Sequence, residues 1–160
     1  MKYKIKQKFF SFGDDFTIKD ENDEDRFIVT GKVFSIGSKL KVNDLTGNEL
    51  VNIEQKVLRL LPEYNLYASE EHLATVKKEF TFLKPRFTIM STQGDYQISG
   101  NFIGYEFEIL KEDKVVVTVS KKFLALADTY MVEINNQENQ AFMLALVIVI
   151  DQVLHNSKNS

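Results

Sequence analysis

Apolar and polar residues alternate along most of this chain with a period of two residues. Such alternation indicates β-strands that have one face in a core and the other in water. Clusters of Gly, Asn, Asp and Glu, which favour turns, separate the alternating segments. Twelve strands are predicted, over residues 2–9, 14–19, 26–32, 38–43, 49–57, 63–68, 73–82, 86–92, 95–100, 104–111, 114–123 and 129–135. Because no helical pattern separates them, we expect antiparallel hairpins that close into a barrel or stack as a sandwich.

One pattern recurs four times before residue 135. An apolar residue is followed by a polar pair, a second apolar residue, an aromatic residue and an aliphatic residue at fixed distances. The copies are Ile5, Phe9, Phe16 and Ile18; Ile53, Val57, Tyr64 and Leu66; Val76, Phe80, Phe87 and Ile89; Val119, Phe123, Tyr130 and Val132. Segments 28–34 and 97–103 also match. Repetition at fixed offsets predicts an internal duplication of two half-barrels, about 1–68 and 69–135, with Phe16 over Phe87 and Tyr64 over Tyr130.

An uninterrupted apolar run extends from Ala141 to Ile150. Ten residues are too few to span a bilayer, which needs about 20. Its Ala, Met and Leu content favours a helix, although the end of the run would suit a buried strand, and Asn135 with Glu138 resembles a capping box. A helix that is apolar on every side must be surrounded. We therefore predict a closed antiparallel barrel of about twelve strands around one buried C-terminal helix, with the core residues Phe142, Leu144, Leu146, Ile148 and Ile150.

Length and composition limit the classes of protein that fit. A chain of 160 residues with two prolines and seven glycines is typical of one domain, expected over residues 1–155 with a polar tail at 156–160. The net charge of −3 gives no case for nucleic-acid binding. The lack of cysteine excludes disulfides and thiolate metal sites. Because the N-terminus has no apolar stretch typical of a signal peptide, we expect a cytoplasmic protein without a transmembrane segment.

A set of short segments spreads over nearly the whole chain. They are Lys6-Gln7-Lys8 with 12–16, Val29-Thr30-Gly31-Lys32 with 34–37, 53–64, Val76-Lys77-Lys78 with 84–87, 94–102, 119–122 and 146–151. Together they resemble the LURP-one-related (LOR) family, relatives of the Tubby C-terminal domain and the phospholipid scramblases. The resemblance implies a twelve-stranded barrel around a central C-terminal helix. Residues 123–126 depart from the family, which often has tryptophan there, so a role tied to that tryptophan is not carried over. Family function is largely unassigned.

No constellation of residues indicates catalysis. The two histidines, His72 and His155, are interpreted as surface residues, and no nucleophile elbow, phosphate loop or metal-binding spacing is present. The acidic run Asp20 to Asp25 lacks the Gly and Glu that a calcium loop needs at its sixth and twelfth positions. It is therefore predicted to be a charged hairpin turn. We expect a protein that is not an enzyme and has neither cofactor nor metal.

Six cations come from the third and fourth copies of the pattern and their following turns. They are Lys77, Lys78, Lys84, Arg86, Lys121 and Lys122. The Tubby relationship implies a surface that binds phosphoinositide headgroups, and each cation near an anionic membrane contributes roughly 1 kcal/mol. The alternative is a set of solvated lysines that protect strand edges. Glu79, which interrupts the set, and the negative net charge favour this alternative.

Strand alternation places Lys78 and Lys121 on the same inward face as Val76 and Val119. A buried lysine must pair with an acid or extend to the rim of the barrel. Asp151, at the end of the apolar run, is the acid nearest to the core in sequence, and its pairing with either lysine is one prediction. A β-bulge that reverses the alternation is the other.

Three functions stay open at this point. The first is a non-enzymatic cytoplasmic barrel that acts as a binding or interaction module for an unknown partner. The second is a peripheral membrane module that binds anionic, phosphoinositide-like headgroups through the six cations. The third, an enzyme with a pocket at the barrel mouth, has the least support because the helix would fill the lumen.

Overall fold

The computed structural model of the chain describes residues 1–6, 15–32, 37–102, 104, 106–121 and 129–156. These residues form twelve β-strands and one α-helix, in the number and order that the alternating pattern predicts. The strands are β1 (Lys2–Lys6), β2 (Phe16–Asp20), β3 (Asp25–Lys32), β4 (Lys39–Asn43), β5 (Glu49–Gln55), β6 (Glu63–Ala68), β7 (Glu71–Lys78), β8 (Phe87–Ser91), β9 (Tyr96–Asn101), β10 (Glu106–Lys111), β11 (Lys114–Ser120) and β12 (Thr129–Ile134), and the helix is α1 (Gln140–Asn156).

The strands form a closed antiparallel barrel. Each strand pairs with its neighbours in sequence, and β12 pairs with β1 to complete the ring. Closure leaves no strand edge open to another chain, which is the usual hazard of a β-sheet. The predicted barrel is therefore confirmed, and the sandwich that the alternating pattern also allowed is excluded.

The two ends of the barrel differ in their connections. At one end, the turn end, short turns over 21–24, 44–48, 69–70, 92–95 and 112–113 join consecutive strands. At the other, the loop end, β5 is joined to β6 by residues 56–62 and β7 to β8 by residues 79–86. The chain crosses from β12 into α1 at the turn end, where the Tyr3 hydroxyl donates to Gln140 Oε1 at 3.1 Å.

Helix α1 fills the barrel and forms its core. Every residue from Phe142 to Ile150 is at most 1% exposed, including the five that the sequence picks out. Inward-facing side chains of the strands surround them, so the helix needs no polar face. Its 17 residues span about 25 Å, which carries Asp151 and Gln152 toward the loop end.

The start of the helix differs from the predicted capping box. Asn135 still belongs to the sheet, because its N–H donates to the Val116 carbonyl at 2.9 Å. The helix is capped instead by Asn139, whose Oδ1 accepts the Phe142 N–H at 3.0 Å. A side-chain oxygen at this position satisfies one of the free amides of the first turn. Glu138 pairs with Lys111 at 3.2 Å.

Strand register repeats between the two halves of the chain. The matching pairs are Tyr3–Asp20 and Ala74–Ser91, Lys4–Lys19 and Thr75–Met90, Ile18–Phe27 and Ile89–Tyr96, Ile53–Leu66 and Val119–Val132, and Ile5–Tyr130 and Val76–Tyr64. Tyr64 and Tyr130 are both fully buried, whereas Phe16 is buried and Phe87 is half-buried against the core. The internal duplication therefore extends to strand order and register.

Candidate functional site

Two predicted strands end earlier than the alternating pattern indicates, and their ends define the site. β5 stops at Gln55 and β7 at Lys78. The Lys56 N–H then donates to the Glu63 carbonyl, and the Glu79 N–H donates to the Arg86 carbonyl, which closes the two loops at their bases. The residues beyond these bonds leave the ladder. Val57 and Phe80, which the pattern predicts to lie in strands, are consequently exposed.

Large apolar side chains crowd the two loops. Of the ten that are exposed in the described part of the chain, six lie here: Val57 (52%), Leu58 (99%), Leu60 (104%), Phe80 (73%), Phe82 (91%) and Leu83 (94%). We call these six residues the apolar rim. Single exposed apolar residues are ordinary on protein surfaces, but a group of this kind is typical of an interaction site. The sequence analysis missed Leu58, Leu60, Phe82 and Leu83.

Leu58 has an unusual backbone conformation. Its φ angle is 59°, in the left-handed region that costs an L-residue with a side chain roughly 1–2 kcal/mol. Its side chain is also almost completely in water. Neither backbone preference nor core packing therefore accounts for leucine at this position. Observed strain of this kind is found preferentially at functional sites.

Cations surround the base of the apolar rim. The carboxylate of Glu63, with 9% of its side chain exposed, has three partners: Lys56 Nζ at 2.9 Å, Arg59 Nε at 3.7 Å and Lys77 Nζ at 3.8 Å. The hydrogen bond from Lys56 holds the pKa of Glu63 below its usual range against the opposing effect of burial, and the charges of Lys77 and Arg59 add to it. Three cations share one carboxylate, so this cluster is positively charged.

The predicted cations are only partly brought together. The Lys78 N–H donates to the Pro62 carbonyl at 3.0 Å, so the bases of the two loops adjoin. Lys77 and Lys78 end β7, and Lys84 and Arg86 are exposed on the loop that follows. Lys121 follows β11, which β8, β9 and β10 separate from β7. Lys122 lies outside the described residues.

We call the cations of these two loops and their bases the basic collar. It consists of Lys56, Arg59, Lys77, Lys78, Lys84 and Arg86, and the sequence analysis missed Lys56 and Arg59. Glu63 and Glu79 are the carboxylates among them. The collar is therefore a basic region on a chain whose net charge is −3.

Several polar residues that the strand alternation predicts to face inward lie at the mouth of the barrel. Lys78 and Lys121 are half-buried, while Asp151 is 1% exposed. The pairing of either lysine with Asp151 stays a prediction. Gln55 continues the inward face of β5, and its Oε1 accepts the N–H groups of Gly37 and Ser38 at 3.1 and 3.2 Å. A polar side chain at the mouth, such as Gln55, can therefore be hydrogen-bonded by backbone N–H groups and does not need a charged partner.

A cavity of about 420 Å³ opens beside the loop that joins β7 to β8. Its lining consists of Leu83, Lys84, Pro85, Ser99, Gly100, Asn101 and Phe102. Asn101 Oδ1 accepts the Gly104 N–H at 3.3 Å. Lys84, Ser99 and the amide nitrogen of Asn101 are hydrogen-bond donors, which suits a small polar or anionic group.

Among the residues considered for catalysis or metal binding, His72 and the acidic run make contacts typical of structural residues, and the side chain of His155 lies outside the described part of the chain. His72 is exposed, and its Nε2 contacts Thr75 Oγ1 at 2.9 Å. The acidic run forms the turn between β2 and β3, where Asp20 accepts the N–H groups of Asn22 and Glu24 and pairs with Arg26. Among the residues that the structure describes, no group of three or more His, Cys, Asp or Glu has the arrangement of a metal site.

Known proteins resemble this chain in sequence and in fold. The family model described as LURP-one-related matches residues 1–151. This chain belongs to the LURP-one-related family. A Bacillus subtilis (strain 168) protein, the uncharacterized protein YxjI, is 37% identical over 155 residues, which cover 97% of this chain and 94% of that protein. The resemblance of the sequence motifs to the LURP-one-related family is therefore confirmed.

A plant structure shares the fold of this LURP-one-related barrel. The X-ray structure of an Arabidopsis thaliana protein aligns with a TM-score of 0.68 and 19% sequence identity, over 95% of this chain and 90% of that one. At this identity the likeness concerns the fold alone. Within the described ranges, no helix is both long and apolar enough to cross a membrane.

Proposed function

We propose that this LURP-one-related barrel is a non-enzymatic binding module that docks on anionic membrane surfaces through its loop end. The observation that carries the proposal is the apolar rim with the basic collar at its base. Apolar side chains together with cations suit the interface of an anionic bilayer, where charged headgroups lie above hydrocarbon. An enzyme has less support, because α1 fills the lumen where a barrel would hold a substrate.

The distribution of charge supports docking by this end. Cations near an anionic membrane contribute roughly 1 kcal/mol each, and the basic collar has six of them against Glu63 and Glu79. The acidic turn between Asp20 and Asp25 lies at the opposite end of the barrel. Because charges are screened over about 10 Å at 0.1 M salt, the net negative charge of the chain does not prevent attraction at the loop end.

Sedimentation with vesicles tests the proposal. We expect the chain to pellet at low salt with vesicles of phosphatidylcholine and phosphatidylglycerol, and to stay in solution with phosphatidylcholine alone. The Lys84→Glu/Arg86→Glu variant should lose at least about tenfold in affinity, because two reversals remove four units of charge from the collar. Both residues are exposed, so circular dichroism should show an intact barrel.

The matched control reverses two lysines at the other end. Lys2 and Lys114 are exposed and begin β1 and β11 at the turn end. The Lys2→Glu/Lys114→Glu variant has the same net charge as the test variant, and we expect it to retain most of the binding. Wild-type protein that stays in the supernatant at low salt, or equal losses in the two variants, would contradict docking through the loop end.

A further inference from the structure

We propose that the apolar rim enters the hydrocarbon region of the bilayer, so that the chain is held by inserted side chains as well as by charge. This inference rests on the proposed function and adds the mode of binding. Adsorption by charge alone would need only the basic collar. The rim residues give the surface a second, apolar component that charge does not explain.

The position of the apolar residues along each loop supports insertion. Leu58 and Leu60 lie in the middle of the loop 56–62, and Phe82 and Leu83 lie in the middle of the loop 79–86. Backbone hydrogen bonds close both loops at their bases, so along the chain the middle of each loop is its part farthest from the strand ends. Within the two described loops, side chains at these points are well placed to reach below a membrane surface that the loop end approaches.

The basic collar lies where headgroups would be. Lys56 and Lys77 are at the strand ends, and Glu63 fixes both of them there through ion pairs at 2.9 and 3.8 Å. Lys56, Lys77 and Lys78 are therefore at the loop bases, while Leu58, Leu60, Phe82 and Leu83 are at the loop middles, beside Arg59 and Lys84. Cations at the bases below apolar loop middles match the order of charged headgroups and hydrocarbon in an anionic bilayer, and long Arg and Lys side chains can extend back to the headgroups.

The exposure of the rim favours a bilayer over a second protein surface as its partner. Leu58, Leu60 and Leu83 are 94–104% exposed, so they do not pack on one another into a continuous face. Hydrocarbon chains accommodate separate side chains, whereas a protein would need a separate recess for each. Leu58 combines a strained φ of 59° with a side chain that is 99% exposed, an arrangement that destabilises the free protein.

A tryptophan reporter measures insertion directly. The chain contains no tryptophan, so the Phe82→Trp variant has a single indole, at the middle of a rim loop. On addition of phosphatidylglycerol-containing vesicles we expect its emission to shift to the blue and to be quenched by lipids brominated on their acyl chains. The control is Leu45→Trp, since Leu45 is also an exposed apolar residue (52%) but lies at the turn end. Its emission should not change.

Truncation of the rim gives a second readout. The Phe82→Ser/Leu83→Ser variant should bind about tenfold more weakly or worse, and the binding that persists in the wild type at high salt should be lost. The control variant Met90→Ser/Val115→Ser removes two exposed apolar side chains of strands β8 and β11. We expect it to bind like the wild type.

Three experimental outcomes would overturn insertion, and one of them would also overturn the proposed function. Vesicle binding without a blue shift or acyl-chain quenching in Phe82→Trp would overturn insertion and leave the proposed function standing. Absence of any vesicle binding by the wild type would overturn both. Sedimentation equilibrium without vesicles tests a second copy as the occupant: self-association that Phe82→Ser/Leu83→Ser abolishes would assign the rim to that copy and overturn insertion.

Discussion

At the scale of single residues, Gln152 is unusual. Its side chain is 1% exposed, and within the part of the chain that the structure describes neither its Nε2 nor its Oε1 has a hydrogen-bond partner. A buried polar group without a partner costs about 1–3 kcal/mol. Gln55 at the mouth of the barrel differs, because its amide oxygen accepts two N–H groups.

Replacement of Gln152 by an apolar residue of similar shape should stabilise the protein. We expect Gln152→Met to raise the free energy of unfolding by about 1–2 kcal/mol, since it removes an unsatisfied amide and keeps most of the volume. Urea denaturation measures the change. The control Gln55→Met should lower the free energy, because it leaves the Gly37 and Ser38 N–H groups without their acceptor. A destabilised Gln152→Met protein would show that the amide is satisfied in solution.

At the scale of elements, α1 is the core of the barrel rather than an appendage. All twelve strands form the ring that surrounds it. Asn139 caps its first turn, and Tyr96 packs against Phe142 with ring centroids 5.9 Å apart. Removal of the helix would expose the inward face of the whole barrel to water.

Truncation after residue 136 tests the role of the helix. We expect unfolded or insoluble material, because the buried side chains of the strands would lose their packing partner. The milder change Leu146→Ala, at a fully buried position, should lower the free energy of unfolding by about 2–5 kcal/mol. Sharp, dispersed NMR signals from the truncated chain would exclude the helix as the folding core.

At the scale of the whole molecule, the two halves use glycine at the same place. Gly31 and Gly100 occupy matching positions in β3 and β9 and have φ angles of 127° and 132°. A Cβ on Gly31 would lie 2.2 Å from the Lys39 carbonyl oxygen, and one on Gly100 would lie 2.5 Å from the Glu106 carbonyl oxygen. Backbone atoms cannot move aside, so both sites require glycine.

The duplication therefore predicts similar effects in the two halves. We expect Gly31→Ala and Gly100→Ala each to lower the free energy of unfolding by at least about 1–3 kcal/mol, as measured by thermal or urea denaturation. Gly47→Ala is the control, since its φ is 90° but a Cβ there meets nothing within 4 Å. A neutral effect at one site and a large effect at its counterpart would show that the halves no longer share this constraint.

The sequence by itself determined the twelve strands, the central helix and the duplicated order. Alternation of period two identifies strands because each strand lies between core and water, and an apolar run without a polar face requires complete burial. The helix start was predicted four residues too early, since Asn135 and Asn139 have equal capping preference and only the sheet contact of Asn135 separates them. Lys77, Lys78, Lys84 and Arg86 could be grouped from the sequence because they are close along the chain.

Only the tertiary structure decided where the strands leave the ladder and which distant residues meet. Hydropathy records the type of a residue, whereas its burial depends on all of its neighbours in space. Phe80 continues the apolar pattern of β7, yet it is exposed because hydrogen bonding to β8 gives way to a loop after Lys78. Ring order likewise places three strands between β11, which Lys121 follows, and β7, which ends at Lys77 and Lys78. The apolar rim likewise depends on where β5 and β7 end and on the hydrogen bonds that close the two loops, which the local sequence pattern does not predict.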